Sequence, residues 1–122
     1  MGEFLAAYLF EAHGIEAVHV DRDGADLWVQ LPDGRLATVS VKAATRPVID
    51  SARRKTARYC FNHRCRLEVV NFYAFVALDR RLVVVLPARA VTGSSTRISE
   101  AAMTEEAMAA SIEGMKNAAG VP

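Results

Sequence analysis

The chain has few of the residues that would mark it as a secreted, membrane-spanning or fibrous protein. Its 122 residues include two cysteines, four prolines and one tryptophan. Two cysteines cannot build the multi-bridge framework of a small secreted domain. No apolar run reaches the roughly 18 residues that a membrane span needs. The first residues carry Glu3 and no basic cluster, so we expect no signal peptide and a cytoplasmic protein without a membrane partner.

Positive and negative charges nearly cancel over the whole chain, but the positive ones are concentrated in one segment. The formal net charge is +1, which gives no global case for a nucleic-acid partner. Residues 42–66, however, carry a charge of about +7, and the rest of the chain carries about −6. The basic residues of this segment are Lys42, Arg46, Arg53, Arg54, Lys55, Arg58, Arg64 and Arg66. The asymmetry predicts a surface that binds a polyanion, with a solvated arginine-rich loop as the alternative.

A hairpin around the turn Pro32-Asp33-Gly34 gives the clearest local pattern. Apolar residues alternate with polar ones in both predicted strands. One face holds Leu27, Val29, Leu31, Val39 and Val41. Asp26, Ser40 and Lys42 are expected together on the opposite face. Trp28 shares that face, and we expect another element to cover it in part.

An amphipathic helix is predicted over residues 3–13. Its apolar stripe is predicted to be Phe4, Leu5, Tyr8 and Leu9. Glu3 lies in the first turn, where the helix dipole favours a carboxylate, and Gly14 follows the predicted end.

Four further strands are predicted from runs of β-branched and aromatic residues. They cover residues 15–21, 57–63, 68–78 and 82–86. The last of these is aliphatic throughout, so we expect it in the middle of a sheet that is covered on both faces. A helix over residues 50–59 is an alternative to the second.

The C-terminal part is predicted to contain a connection and a helix. Residues 93–96 are expected to be flexible, and Thr104 is expected to cap a helix that ends near Asn117. Its stripe of Met108, Ile112 and Met115 predicts core packing or self-association. The predicted fold is thus α/β: a mixed sheet with an N-terminal and a C-terminal helix. Residues 1–92 would form the core, and residues 93–122 a linker and helix in the same domain or an oligomerisation element.

A short cluster of Cys60, His63 and Cys65 could supply three zinc ligands. A structural zinc site needs four, and the sequence has no second cluster. Buried thiols therefore explain the two cysteines better.

The ordered motifs resemble the PD-(D/E)XK nuclease superfamily and its restriction-endonuclease-like core. They are similar to its small branch, the archaeal-type Holliday junction resolvases and the nuclease-like group I intron homing endonucleases. The likeness covers residues 2–91. The motifs are Gly2-Glu3, Gly24-Ala25-Asp26-Leu27-Trp28-Val29, Val39-Ser40-Val41-Lys42-Ala43, Arg58-Tyr59-Cys60-Phe61-Asn62, Asn71-Phe72-Tyr73-Ala74-Phe75-Val76-Ala77-Leu78 and Leu86-Pro87-Ala88.

The resemblance implies an Mg²⁺- or Mn²⁺-dependent endonuclease that hydrolyses phosphodiesters in DNA, branched DNA included. It implies Asp26 as the central metal ligand, Glu3 as a second ligand and Lys42 as the catalytic cation. Ser40 stands where the family has Glu, Asp or sometimes Gln. Resolvases cut two strands symmetrically, so a homodimer is implied as well.

Ser40 leaves two interpretations open. A neutral hydroxyl is a poor Mg²⁺ ligand, so Glu3 and Asp26 would bind metal weakly with help from Ser40 or a main-chain carbonyl. Asp23 and Glu68 are the other carboxylates that could serve. Alternatively the site has been lost, and the fold binds DNA or another protein, for example as a phage or mobile-element inhibitor or accessory factor.

The basic segment follows Lys42 directly and would flank this site. Arg46, Arg53, Arg54, Lys55 and Arg58 are predicted to contact DNA phosphates. Tyr59 or Phe61 could stack on an exposed base, with packing in the sheet as the alternative. A third hypothesis is a subunit whose basic segment contacts an acidic partner protein.

Overall fold

The computed structural model describes residues 2–22, 25–49, 56–63 and 70–118. Along the chain the helices and strands are α1 (Gly2–Ala12), β1 (Glu16–Arg22), β2 (Ala25–Gln30), β3 (Leu36–Ala44), β4 (Arg58–Asn62), β5 (Phe72–Ala77), β6 (Leu82–Pro87), β7 (Ser95–Ser99) and α2 (Glu105–Lys116). No helix within these residues is long and apolar enough to span a membrane.

A five-stranded mixed sheet in the order β1-β2-β3-β5-β6 forms the centre of the fold. Only the β3–β5 pair is parallel among the neighbours in this sheet. Strands β4 and β7 pair with each other in a separate antiparallel ribbon. The predicted α/β class, with a mixed sheet, an N-terminal helix and a C-terminal helix, is confirmed.

Helix α1 covers one face of the sheet, although not through the predicted stripe. Its buried side chains are Ala6, Ala7, Leu9 and Phe10. Phe4 and Tyr8 are exposed, so their predicted place in the core is wrong. The small alanines let the helix approach the sheet closely and turn Phe10 inward. Phe4 instead packs at the surface, where its ring centroid lies 4.4 Å from that of His19.

The β4–β7 ribbon lies over the other face. Tyr59 and Phe61 of β4 are buried, and the ring centroid of Phe61 lies 5.0 Å from that of Phe75 on β5. The strand predicted over residues 57–63 is therefore confirmed. The flexible connection predicted over residues 93–96 is wrong at its end, because Ser95 and Thr96 begin β7 and pair with β4.

Strand β6 is an edge strand rather than the central strand expected from its aliphatic run. Helix α2 packs along it, which explains why its side chains are apolar. The outward N–H of Val85 donates a 3.0 Å hydrogen bond to Ser111 Oγ on α2. Thr104 caps α2 as predicted, since its Oγ1 accepts a 3.1 Å hydrogen bond from Ala107 N. The stripe of Met108, Ile112 and Met115 is buried, which is the core-packing alternative.

Candidate functional site

The predicted hairpin is present as β2 and β3. Leu27 pairs with Val39 and Trp28 with Thr38 in an antiparallel register. The turn is closed by a 2.8 Å hydrogen bond from Gly34 N to Leu31 O. Gly34 has φ 91°, a backbone conformation that glycine adopts without strain. The turn chemistry thus fixes the register that decides which side chains share a face.

Asp26 ties the start of β2 to the end of β3. Its carboxylate Oδ2 accepts a 2.6 Å hydrogen bond from the main-chain N–H of Val41. Val41 is the residue between Ser40 and Lys42, so the carboxylate lies beside both. Strand alternation directs Asp26, Ser40 and Lys42 to the face opposite α1. The structure therefore brings these three predicted site residues together.

Ser40 is the least expected member of this group. Its side chain is 1% exposed, and it pairs across β3 and β5 with Tyr73. Its Oγ has no hydrogen-bond partner among the described residues. Buried hydroxyls nearly always have a partner, so an orphaned one beside a carboxylate needs an explanation. A water molecule or a cation between Ser40 and Asp26 would supply it.

Helix α1 begins next to the same segment of β3. A Cβ built on Gly2 would lie 2.8 Å from the Cβ of Ala43 and 3.7 Å from Cγ1 of Val41. The first turn of the helix is therefore seated on the residues that flank Lys42. Glu3 follows Gly2 and is exposed. Its role as a second ligand stays a prediction.

The oxygen donors around Asp26 suit a hard divalent cation. Carboxylate and hydroxyl oxygens are the ligands that Mg²⁺ and Mn²⁺ prefer. Across the four described ranges, no group of three or more His, Cys, Asp or Glu side chains could hold a metal. Asp23 and Glu68 lie outside the described residues. The Asp26 carboxylate and the orphaned Ser40 Oγ are oxygen donors of this kind, and a further ligand from Glu3 stays a prediction.

Two of the basic residues predicted to bind DNA, Arg46 and Arg58, are described, as is the predicted catalytic Lys42. Arg46 is exposed, and Lys42 and Arg58 are half-buried. The other predicted contacts, Arg53, Arg54 and Lys55, lie outside the described residues, as do Arg64 and Arg66.

Tyr59 lies in the interior, so its predicted contact with DNA is wrong. Its hydroxyl donates a 2.8 Å hydrogen bond to Asp79 Oδ1 in the β5–β6 turn. Burial, together with this bond to a carboxylate, raises the pKa of Tyr59 to about 12. Both Tyr59 and Phe61 are buried, so they pack in the interior as the alternative to base stacking predicted.

The proposed zinc cluster cannot be assembled from the described residues. Cys65 lies outside them, and Cys60 is half-buried. His63 Nε2 lies 2.9 Å from Thr96 Oγ1, and its ring packs against Tyr73. His63 is thus a buried histidine with a hydroxyl partner.

Trp28 is only partly covered, as the sequence predicted. It lies two residues after Asp26 on the same face of β2 and keeps 41% of its surface exposed. An aromatic side chain in a strand usually indicates packing. The extent of its exposure could have been predicted from the polar residues on the same strand face, Asp26 and Gln30.

Comparisons with known proteins support the fold. No family model matches the chain. No curated protein matches it either. Among solved structures it is similar to a bacterial homing endonuclease, I-Ssp6803I, with a TM-score of 0.64 and 22% sequence identity. The similarity covers 81% of this chain and 70% of that chain. The chain therefore has a nuclease-like α/β fold.

Proposed function

We propose that the chain is a metal-dependent endonuclease of the PD-(D/E)XK type that hydrolyses phosphodiester bonds in DNA, branched DNA included. The observation that carries this proposal is the constellation on the β2–β3 hairpin, where the Asp26 carboxylate reaches the backbone between Ser40 and Lys42. The similarity to a homing endonuclease supports it, because a nuclease-like fold is the one that this constellation requires.

Each residue of the site has a chemical role in this proposal. Asp26 would hold Mg²⁺ or Mn²⁺ with Glu3, and Ser40 Oγ would contribute a neutral oxygen. Such an ion supplies a nucleophilic hydroxide at neutral pH and neutralises charge on the phosphate. Lys42 orients the attacking water and stabilises the negative charge that develops on the phosphoryl oxygens. One P–O bond forms to the water oxygen as that water loses a proton to solvent, one P–O ester bond breaks, and the leaving alkoxide takes a proton from a solvent water.

Arginines and a lysine beyond β3 would hold the DNA backbone. Arg46 and Arg58, with Arg53, Arg54 and Lys55, extend the charge of Lys42 along the chain. Contacts of this kind give salt-dependent affinity without sequence preference. A homodimer would let two such sites cut both strands of a branched substrate.

The decisive experiment combines Mn²⁺ binding by calorimetry with cleavage of plasmid and four-way-junction DNA. Asp26→Ala should lose both activities, and Lys42→Ala should keep Mn²⁺ binding but lose cleavage. Asp33→Asn is the matched control, because Asp33 is an exposed carboxylate in the turn of the same hairpin. Unchanged Mn²⁺ binding in Asp26→Ala would contradict the proposed metal site.

The absence of a third carboxylate at Ser40 supports one competing function, a module that binds DNA or another protein without cutting. Ser40→Asp separates the two, because an added carboxylate should tighten Mn²⁺ binding if Asp26 and Glu3 bind one ion. Equal DNA affinity with and without Mn²⁺, and no nicking by wild type or Ser40→Asp, would establish the binding module instead. An inhibitor or accessory factor of a mobile element would be such a module. No DNA binding at low salt would favour the third hypothesis, an acidic protein partner.

A further inference from the structure

An exposed apolar strip adjoins the site on the outer face of the sheet. Its members are Val18, Trp28 and Leu36, with 60%, 41% and 64% of their surfaces exposed. Val18 pairs directly with Trp28, and Leu36 pairs with Gln30, two residues further along β2. The β4–β7 ribbon packs on β3 and, through Phe61, on β5. The side chains of the strip stay exposed.

Trp28 is the member of this strip that lies nearest to the reacting group. It is two residues from Asp26 on the same strand face, which separates their Cα atoms by about 7 Å. That separation is comparable to the span of one nucleotide from its phosphate to its base. The Trp28 ring stacks on no other aromatic side chain in the described part of the chain. Trp28 keeps 41% of its surface exposed, so part of the ring is accessible to a ligand.

We infer that Trp28 stacks on an unpaired base next to the phosphate that a metal ion at Asp26 would hold. This inference rests on the proposed function and narrows it to DNA with unpaired or splayed nucleotides. Every base has a π-face, so stacking on indole requires no particular sequence. A base inside an intact duplex already stacks on its neighbours, and only an unpaired one can reach Trp28 without breaking a pair.

A second copy of the chain is a weaker occupant for the same strip. A standard protein interface buries roughly 800 Å² per partner, whereas a tryptophan contributes roughly 150–250 Å² when it is fully buried. Three partly covered side chains separated by the polar Gln30 and Thr38 fall well short of that area. The adjoining lysine, and a cation held by the Asp26 carboxylate, also suit a phosphate ester better than an apolar protein surface.

Trp28 is the only tryptophan among the 122 residues, so the tryptophan fluorescence of the wild-type protein comes from this residue alone. With Ca²⁺ in place of Mg²⁺, an ion that takes the same kind of oxygen ligands, DNA with a single unpaired base should quench the intrinsic fluorescence while a gel confirms that the DNA stays intact. It should also protect the indole from acrylamide. A fully paired duplex of the same length should leave both signals nearly unchanged at equal occupancy.

Trp28→Ala tests the energetic contribution. Its affinity for DNA with an unpaired base should fall roughly 5- to 150-fold, and its affinity for the paired duplex should change much less. Trp28→Phe should recover most of the loss, because the stacking face is kept. Leu36→Ala is the matched control, since Leu36 is exposed on the same face but lies farther from Asp26.

The outcomes separate this inference from the proposed function. Wild-type DNA binding with no quenching, and equal affinities for Trp28→Ala and wild type, would overturn the stacking role alone. A dimer that dissociates on Trp28→Ala with DNA affinity unchanged would assign the strip to a second copy. No DNA binding by the wild type at low salt would overturn the proposed function and this inference together.

Discussion

Replacing Ser40 by alanine should make the metal-free protein more stable. Ser40 Oγ is buried and has no partner among the described residues. In protein mutants an unsatisfied buried polar group costs about 1–3 kcal/mol. Alanine keeps the Cβ and removes only the oxygen, so the void that it leaves offsets a fraction of this gain. We expect a net gain of about 1–2 kcal/mol in the free energy of unfolding.

Urea denaturation followed by circular dichroism, in EDTA, measures this gain as a higher transition midpoint. A thermal melt should shift upward by about 4 °C per kcal/mol for a domain of this size. In saturating Mn²⁺ the difference should shrink or reverse, because the wild type alone has the Ser40 oxygen to offer the ion. Binding to the native state stabilises it in proportion to the logarithm of ligand concentration over Kd.

Thr38→Val is the matched control for Ser40→Ala. Thr38 lies two residues earlier on the same face of β3, and its hydroxyl is satisfied by Asn71. Thr38 Oγ1 donates to Asn71 Oδ1 at 3.2 Å and accepts from Asn71 N at 3.1 Å. Its loss should lower stability by about 1–2 kcal/mol. A destabilised Ser40→Ala in EDTA, similar to Thr38→Val, would show that Ser40 has a protein partner and refute the reasoning.

Two further predictions concern the packing around the site. The pKa of Tyr59 lies at about 12 in the folded state, above its usual value near 10, so the folded state holds the phenol proton more tightly. This contribution to stability is complete below about pH 10 and is lost as the pH rises toward 12. Tyr59→Phe should remove that part of the pH dependence of urea midpoints. A slope identical to wild type would contradict it. Gly2→Ala should weaken Mn²⁺ binding and lower the melting temperature, because its Cβ would lie 2.8 Å from that of Ala43 and would push the first turn of α1 away from β3. Gly114→Ala is its control, since a Cβ there meets nothing within 4 Å, and it should raise stability by about 0.5–1 kcal/mol. Equal melting temperatures and Mn²⁺ affinities of the two variants would argue against close packing of α1 on β3.

The hairpin was predictable because its information is local. Strict alternation and one glycine-containing turn set the register, and the register then places Asp26, Ser40 and Lys42 on one face. The bond from Val41 N to Asp26 could not be foreseen, since it depends on where β2 stops pairing with β3.

The errors concern long-range packing. In α1, Phe4 and Tyr8 recur at helical spacing as regularly as Ala6 and Phe10, and only the sheet decides which set is buried. Two serines and a threonine at residues 94–96 are typical of a connection. Ser95 and Thr96 nevertheless begin β7, because β4 offers an unpaired edge that lies far away in the sequence.

The position of β6 in the sheet is a second feature that depends on long-range packing. Its aliphatic run correctly indicates burial, but a helix lying along an edge buries a strand as well as a neighbouring strand does. The sequence contains no local signal that distinguishes the two. The Ser111 hydroxyl accepts a hydrogen bond from Val85 N, but this role depends on α2 packing against β6 and is not evident from the sequence.

The parallel pairing of β3 with β5 has a consequence for the order in which the protein folds. Strands β2 and β3 are neighbours along the chain, and hairpins of this kind close within microseconds. Strand β5 reaches β3 only after the chain has passed through β4, and such non-local pairing is slow. We expect Asp26, Ser40 and Lys42 to meet early, while the sheet is still incomplete. Glu3 can join them only when α1 docks on the assembled strands, so any metal affinity should develop late in refolding.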